Sequence, residues 1–263
     1  MTAAVPDFEL RLAQNDDDLR AAQALRYEVF VRELGSDGPL VDHEKGLECD
    51  EYDPFYDHLI LFDRARGREQ AVGVYRLIRD DQMALEHGGP GRFYSEDEYD
   101  LAALKSSGRK LLELGRSCLH PDYRGGAAML HLWTGLAQYV VEHEVEILFG
   151  VASFHGTDID ELKAPLSLLY HRHLAPSALR VRAQPEVYQP MDLIDENKIN
   201  RPEAMAAVPA LIKAYLRLGG YVGDGAFVDH AFNTTDICLI MDTKQMSAKH
   251  KAIYTSEKTG PKA

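Results

Sequence analysis

Residues 111 to 133, LLELGRSCLHPDYRGGAAMLHLW, carry charge where the surrounding pattern is apolar. A strand-like run holds Glu113 and Arg116, stops at Pro121, and passes through Gly125 and Gly126 into a helical pattern. Period-two alternation puts Glu113, Gly115 and Ser117 on one face and Leu112, Leu114, Arg116 and Cys118 on the other. A bulge near Gly115 would change that phase, kink the strand and leave a backbone N–H unpaired beside both charges. Such a donor suits a reacting carbonyl. The same two residues also fit a plain strand-end ion pair. The turn Arg124-Gly125-Gly126-Ala127 opens a helix, so its N–H groups and the positive end of the helix dipole offer a phosphate site, or simply a strand-to-helix turn.

Other polar residues are less pointed when read alone. Arg26 lies in the first helical pattern, Asp50 and Asp53 in an acidic segment, and Arg76 in a strand-like run; each is compatible with an ordinary surface charge. His171 and His173 are spaced i,i+2, which on a helix points them apart, so no metal site is expected there. Cys49, Cys118 and Cys238 are far apart, with no CxxC or Cys/His spacing, and signal neither zinc nor a disulfide framework. A reducing, cytoplasmic compartment is expected.

These residues must be positioned by a larger pattern. FELRLA reads as a strand, and Asp16 to Asp18 as the N-cap of a helix in which Leu19, Ala22, Leu25 and Val29 recur at helical spacing. A long acidic segment, GSDGPLVDHEKGLECDEYDPFYD, leads to a hairpin of HLILFD, the turn RARGRE, and QAVGVYRLIR. Residues 86–100 are irregular; a helix is expected from about Gly125 to Glu142, then a central strand in VEILFGVASF. DIDELKAPLSLLYHRHL reads as a helix with a proline kink, ALRVRA as a strand, EAMAAVPALIKAYLRLG as one amphipathic helix, and DICLIMD as the last strand. Residues 1–242 form one α/β domain on this reading, and residues 243–263 a polar, basic, flexible tail.

The bulk numbers bound the answer. A chain of 263 residues that is 45% apolar can bury a large core, and its net charge of −13 argues against wholesale nucleic-acid binding. No stretch approaches the roughly 18 apolar residues of a membrane span.

The runs RYEVFVRELG, ECDEYD, AVGVYRLI and ELGRS, in that order, resemble the N-acyltransferase branch of the GNAT superfamily that contains the acyl-homoserine-lactone synthases. The matching positions are Arg26 and Phe30, Asp50 and Asp53, Arg76, and Glu113 with Arg116. The second half, with HPDYRGGAAMLHLW and LIKAYLRLGGYVGDGAFVDHAFNTTDICLIMD, resembles instead the related ornithine Nα-acyltransferases, also called hemolysin-like acyltransferases. The resemblance implies a single GNAT-like α/β domain, its mixed, mostly antiparallel central sheet flanked by helices, with a helical C-terminal extension. It also implies transfer of a 3-hydroxyacyl group from acyl carrier protein to the α-amine of L-ornithine, giving lyso-ornithine lipid. An acyl-homoserine-lactone synthase and a non-catalytic acyl-carrier or lipid-binding module are the alternatives.

Carried onto this chain, the family pattern makes Glu113 the base, held ionised and oriented by Arg116, with backbone N–H groups from Gly115 to Ser117 facing the oxyanion. Phe30 belongs to the substrate site. Asp50 and Asp53 would grip the cationic groups of ornithine, while Arg26 and Arg76 bind its carboxylate or brace the aspartates. Arg124, Gly125, Gly126 and Ala127 would hold the phosphate of the donor. Ala127 stands where the family's first patterned glycine is expected, which weakens a cradle for a diphosphate and favours the single phosphodiester of an acyl carrier protein. Its acyl-phosphopantetheine would be the only cofactor-like group, with none tightly bound. An acidic carrier needs a local basic surface, for which Arg109, Lys110, Arg124, Arg172, Arg180 and Arg182 are candidates. A peripheral contact with the inner face of the membrane stays open.

Overall fold

The computed structural model of the chain describes residues 5–66 and 70–245. Its first half comprises β1 (Phe8–Leu12), α1 (Asp16–Arg26), β2 (Asp57–Asp63), β3 (Ala71–Arg79), β4 (Tyr99–Asp100), α2 (Ala102–Lys105) and β5 (Leu111–Leu119). There follow α3 (Ala128–Glu142), β6 (Ile147–His155), α4 (Ile159–His173), β7 (Arg182–Ala183), α5 (Arg201–Ala207), α6 (Ala210–Arg217), β8 (Tyr221–Val222), β9 (Phe227–Asp229) and β10 (Thr234–Asp242).

Alternation along the strands explains the layering. In β2, Leu59 and Leu61 point to the face covered by α3, whereas Ile60 and Phe62 point to the face covered by α1, and all four are buried. Each helix offers the matching stripe: Leu132, Leu136 and Tyr139 from α3, and Ala22 and Leu25 from α1. The sheet that results has the order β1-β2-β3-β5-β6-β10-β8, with β9 also on β10, while β4 and β7 form a separate ribbon. Every ladder between these strands is antiparallel except that of β5 with β6. A mixed, mostly antiparallel α/β domain was expected and is found.

The parallel pair is short. It holds from Leu111 opposite Ile147 to Glu113 opposite Phe149, and then the two strands part. Beyond that point β5 stays paired with β3, and β6 with β10, so the edges that face each other across the gap carry no ladder. Gly150 sits where the strands separate, and a Cβ there would overlap the carbonyl oxygen of Leu114. The bulge foreseen near Gly115 lies one residue further along. Val74 pairs with Cys118 and Arg76 with Gly115, so Tyr75 stands opposite both Arg116 and Ser117. Arg116 takes the left-handed conformation, φ 48°, that a bulge of this kind usually gives to glycine.

Several elements differ from the sequence reading for local reasons. Asn15, not Asp16 to Asp18, caps α1, its side chain accepting from the N–H of Asp18. The helix continues beyond Arg26 as a wider π-helical segment, Tyr27–Glu33. Pro209 cannot donate into a helix, and it divides the single helix expected at residues 203–219 into α5 and α6. The α3 helix starts at Ala128 rather than Gly125, and only Arg182 and Ala183 of ALRVRA are strand. Of the expected tail, Thr243 to Gln245 form a turn tied to residues Val145 and Glu146, and residues 246–263 lie outside the described residues, as do 67–69 of the hairpin turn. No described helix is long and apolar enough to cross a membrane.

Gly150→Ala should destabilise the protein by about 1–3 kcal/mol, because the methyl must displace the Leu114 backbone at the branch point of the sheet. Urea denaturation reads the loss; an unchanged midpoint would mean that β5 and β6 do not meet there.

Candidate active site

Three arginines and three carboxylates close a ring behind the bulge. Arg26 donates from Nε to Glu48, and from Nη1 and Nη2 to the two oxygens of Asp53 at 2.7 and 2.8 Å. Arg76 donates from Nη1 to Asp53 at 2.9 Å and to both oxygens of Asp50 at 2.6 and 2.5 Å. Arg116 joins Asp50 back to Glu48, with both contacts at 3.1 Å. Signs alternate around the ring and the formal charges cancel. Gln23 adds a fourth donor to Asp53 at 2.9 Å, and the Arg26 side chain is fully buried. Burial works against charge on Asp50 and Asp53, but Arg76 and Arg116 on the first, and Arg26 and Arg76 on the second, outweigh it and hold both below the ordinary carboxylate range.

Aromatic rings pack against the guanidinium groups on the cleft side of this ring. The guanidinium of Arg76 lies 4.6 Å from the ring centre of Tyr56, and that of Arg116 lies 4.9 Å from Tyr94 and 5.5 Å from Phe232. Glu113 belongs to a different cluster. Its Oε2 accepts from the hydroxyl of Tyr56 and from the N–H of Tyr94 at 3.0 Å, and its Oε1 accepts from the N–H of Ser95 at 2.7 Å. Burial pushes its pKa up, and these donors pull against the rise. The pairing of Arg116 with Glu113 that the sequence suggests is therefore absent: the left-handed turn at Arg116 directs its side chain to Glu48 and Asp50.

The gap between β5 and β6 opens a cleft of about 270 Å³. Phe30, Arg76, Glu113, Arg116 and Ser117 line it, along with Gly115 and the segment Gly150 to Ser153. Arg26, Asp50 and Asp53 do not. The two aspartates have their oxygens engaged by arginine, so of the alternatives for Arg26 and Arg76 the geometry is that of bracing. A second, apolar cavity of about 330 Å³ lies under α3 between Trp133, Leu136, Val140 and Leu148. Leu148, Tyr215 and Met241 border both cavities.

Arg124, Gly125, Gly126 and Ala127 follow β5 and lead into α3, whose first turn has no side-chain cap. Gly125 has φ 75°, but the Arg124 guanidinium is bound by both oxygens of Glu33 at 2.6 Å. Other expected docking cations are matched in the same way: Arg109 by Asp242, Lys110 by Glu144, Arg172 by Glu196 and Arg182 by Asp224. Of the six, Arg180 alone forms no ion pair among the described residues; it donates to the carbonyl of Ala175. No described cluster of His, Cys, Asp or Glu has the form of a metal site.

Sequence reasoning missed Glu48, Tyr56, Tyr94 and two further acids of the cleft, Glu98 and Asp236. Glu48 and Tyr56 flank the recognised aspartates in the acidic segment, but their spacing carries no periodic signal.

The chain is similar to known proteins along nearly its whole length. Residues 25–134 match the family model described as an acetyltransferase (GNAT) domain. The chain is 57% identical to the L-ornithine N(alpha)-acyltransferase of Rhodobacter capsulatus, over 99% of each chain, and 39% identical to that of Brucella abortus, over 96% of this chain and 90% of the other. Among solved structures, an N-acyl amino acid synthase from uncultured soil microbes superposes with a TM-score of 0.50 at 13% identity, over 92% of this chain and 93% of that one. A CoA-dependent acyl-homoserine lactone synthase superposes with a TM-score of 0.51 at 14% identity, over 94% and 88%. At such identities these two speak for the fold.

Removing one member of the ring leaves buried, unpaired charge. Arg26→Met should lower stability by about 3–5 kcal/mol at neutral pH. Asp50 and Asp53 are held below their unfolded pKa, near 4, so the wild type keeps their contribution above that value and loses it as pH falls. In the variant, buried Asp53 keeps Arg76 and Gln23 but loses both contacts from Arg26, so burial favours its protonation and acid relieves the strain. Denaturation at pH 7 and pH 5 should show the difference between the two proteins narrowing; a constant difference would show that Arg26 acts through packing alone.

Proposed function

On the premise that the chain belongs to the L-ornithine N(alpha)-acyltransferase family, we propose that this acyltransferase moves a 3-hydroxyacyl group from acyl carrier protein to the α-amine of L-ornithine, giving lyso-ornithine lipid. The observation that carries the chemistry is the parting of β5 from β6 immediately after Glu113. Two strand edges without partners face each other across a slot, and a buried carboxylate stands at its head.

A pantetheine arm carries amides in an extended chain. Laid into the slot, it can add to an open strand edge as a peptide does in strand augmentation. Its thioester then lies among Leu114 to Ser117, where the β5 edge that β6 has left offers backbone N–H groups to a developing oxyanion. The apolar cavity under α3 suits the acyl chain, since the residues it shares with the cleft make the two continuous in lining.

Ornithine's α-amine is mostly protonated near neutral pH and must lose a proton to attack. Glu113 is the base in this reading, directly or through one water. The hydroxyl of Tyr56 and the N–H groups of Tyr94 and Ser95 fix the carboxylate in orientation at the head of the slot. The raised pKa of Glu113 brings it closer to working pH and makes it a better acceptor. Carbon–nitrogen bond formation at the thioester carbonyl is then followed by collapse of the oxyanion and departure of the thiol of the carrier protein. The phosphodiester of the arm meets the uncapped first turn of α3, where the Arg124–Glu33 pair must loosen if Arg124 is to contribute.

Incubation with 3-hydroxyacyl carrier protein, 3-hydroxyacyl-CoA and a panel of amines including ornithine and S-adenosylmethionine tests the reading directly. Mass spectrometry should find N-acylornithine, formed more efficiently from the carrier protein than from CoA. Acylhomoserine lactone, or no product with any amine, would overturn it.

Glu113→Gln should lower kcat by about 10²–10⁴-fold. Because burial raises the Glu113 pKa, the acidic limb of the wild-type profile of kcat/KM should lie above the ordinary glutamate value of about 4.3, and the variant should lack it. A variant that keeps both rate and limb moves the base elsewhere.

A further inference from the structure

Two carboxylates of the cleft each bury an oxygen that no hydrogen bond satisfies. Glu98 and Asp236 are 4% and 5% exposed, and Glu98 Oε2 and Asp236 Oδ1 are buried without a hydrogen bond. Both line the same cleft as Glu113. Neither is in an ion pair among the described residues, and Asp229 adds a third acid to the wall. Asp229 is engaged locally, since its Oδ1 accepts from the N–H groups of Ala231 and Phe232.

Buried carboxylates are ordinarily paired or hydrogen-bonded, because desolvation without compensation costs several kcal/mol. The cations nearest in the cleft, Arg76 and Arg116, are matched by Asp50, Asp53 and Glu48 in the closed ring. The ring is neutral, so it leaves no cation over for the acids in front of it. Burial, with the charges of Asp236 and Asp229, raises the pKa of Glu98 well above the ordinary value, and burial pushes that of Asp236 up to about 6. The neighbouring hydroxyls of Ser153 and Thr234 pull Asp236 the other way. A cation entering between the two acids would remove the penalty of both.

We infer that Glu98 and Asp236, with Asp229 beside them, form the subsite for the side-chain ammonium of the acceptor and so select a diamino acid over a monoamino acid. This rests on the reading of the chain as an amino-acid N-acyltransferase. The placement follows from one loop. Ser95 donates its N–H to Glu113, and its carbonyl accepts from the N–H of Glu98 three residues on, so a single turn carries both the grip on the base and one wall of the subsite. Asp236 reaches the same space from the far side, opposite Ser153 in the β6–β10 ladder. A short diamino acid can thus lie with one nitrogen toward Glu113 and the other between Glu98 and Asp236. An acceptor lacking the second nitrogen leaves buried acids unpaired, the arrangement by which sites reject analogues that lack one polar group.

The test compares L-ornithine with L-norvaline, which has the same carbon chain without the terminal amine, using one 3-hydroxyacyl carrier protein as donor. Wild type should favour ornithine in kcat/KM. Glu98→Gln and Asp236→Asn, each checked by circular dichroism, should reduce that ratio by about 10–100-fold, mainly through the KM for ornithine, as expected for loss of a hydrogen bond to a charged group. On wild type alone, 1,4-diaminobutane should inhibit competitively against ornithine and 1-aminobutane should not. That second measurement decides the matter if the variants fold poorly. A wild type that acylates ornithine, with an unchanged ratio in folded variants or equal inhibition by the two amines, would overturn the subsite alone; a wild type that acylates no amino acid would overturn the reading beneath it.

Discussion

The closed ring of Arg26, Glu48, Arg116, Asp50, Arg76 and Asp53 ties together the parts of the molecule that bear on the cleft. It joins the end of α1, the irregular segment that follows, β3 and β5. That segment has few backbone bonds of its own, and buried charge is what gives it one position: each carboxylate is satisfied only where its two arginines meet. Such a ring contributes less net stability than apolar side chains of the same volume would, but it penalises any displacement heavily. Tyr56 follows from it directly. It stands three residues beyond Asp53, stacks on Arg76, and donates to Glu113.

The bulge and the ring depend on each other. With a regular β5, alternation would send Arg116 and Glu113 to opposite faces. The extra residue and the left-handed φ at Arg116 bring the guanidinium round to Glu48 and Asp50, and the two ion pairs hold a conformation that is unfavourable for a residue with a Cβ. The disturbed pairing at Arg116 and Ser117 lies in the β3–β5 ladder, whereas β5 parts from β6 along its other edge after Glu113. One strand thus carries the charge placement on one edge and a wall of the cleft on the other.

The sequence made some of this legible and hid the rest. Period-two runs in β2, β3, β5 and β6 and the 3.6-period stripes of α1 and α3 identified the layers, because each element buries one consistent face. Residues of the ring were legible through the family pattern in five of its members; Glu48 was not, since an acid in an acidic, aperiodic stretch looks like solvent-facing charge. The expected Glu113–Arg116 pair failed because a spacing of three along a strand says nothing about where a bulge will rotate a side chain. Pro209 was passed over because apolar spacing continues across it, although its missing N–H divides the helix. Glu98 and Asp236 are separated by well over a hundred residues, and only the folded sheet brings them to one wall.

The carboxylates of the cleft divide into two kinds by what surrounds them. Glu113 is fixed by three donors, so its charge is supported and its orientation is set before any ligand arrives. Glu98 and Asp236 each keep a buried oxygen without a donor, and the charge of Asp236 raises the proton affinity of Glu98, so their environment is completed only by something brought in from outside. A group that must take a proton at a fixed point needs the first environment. A group that must recognise a cation needs the second, because recognition is strongest where the empty site is the least satisfied. The neutral ring behind them keeps these two roles apart: with Arg76 and Arg116 already matched, neither is available to neutralise the acids in front.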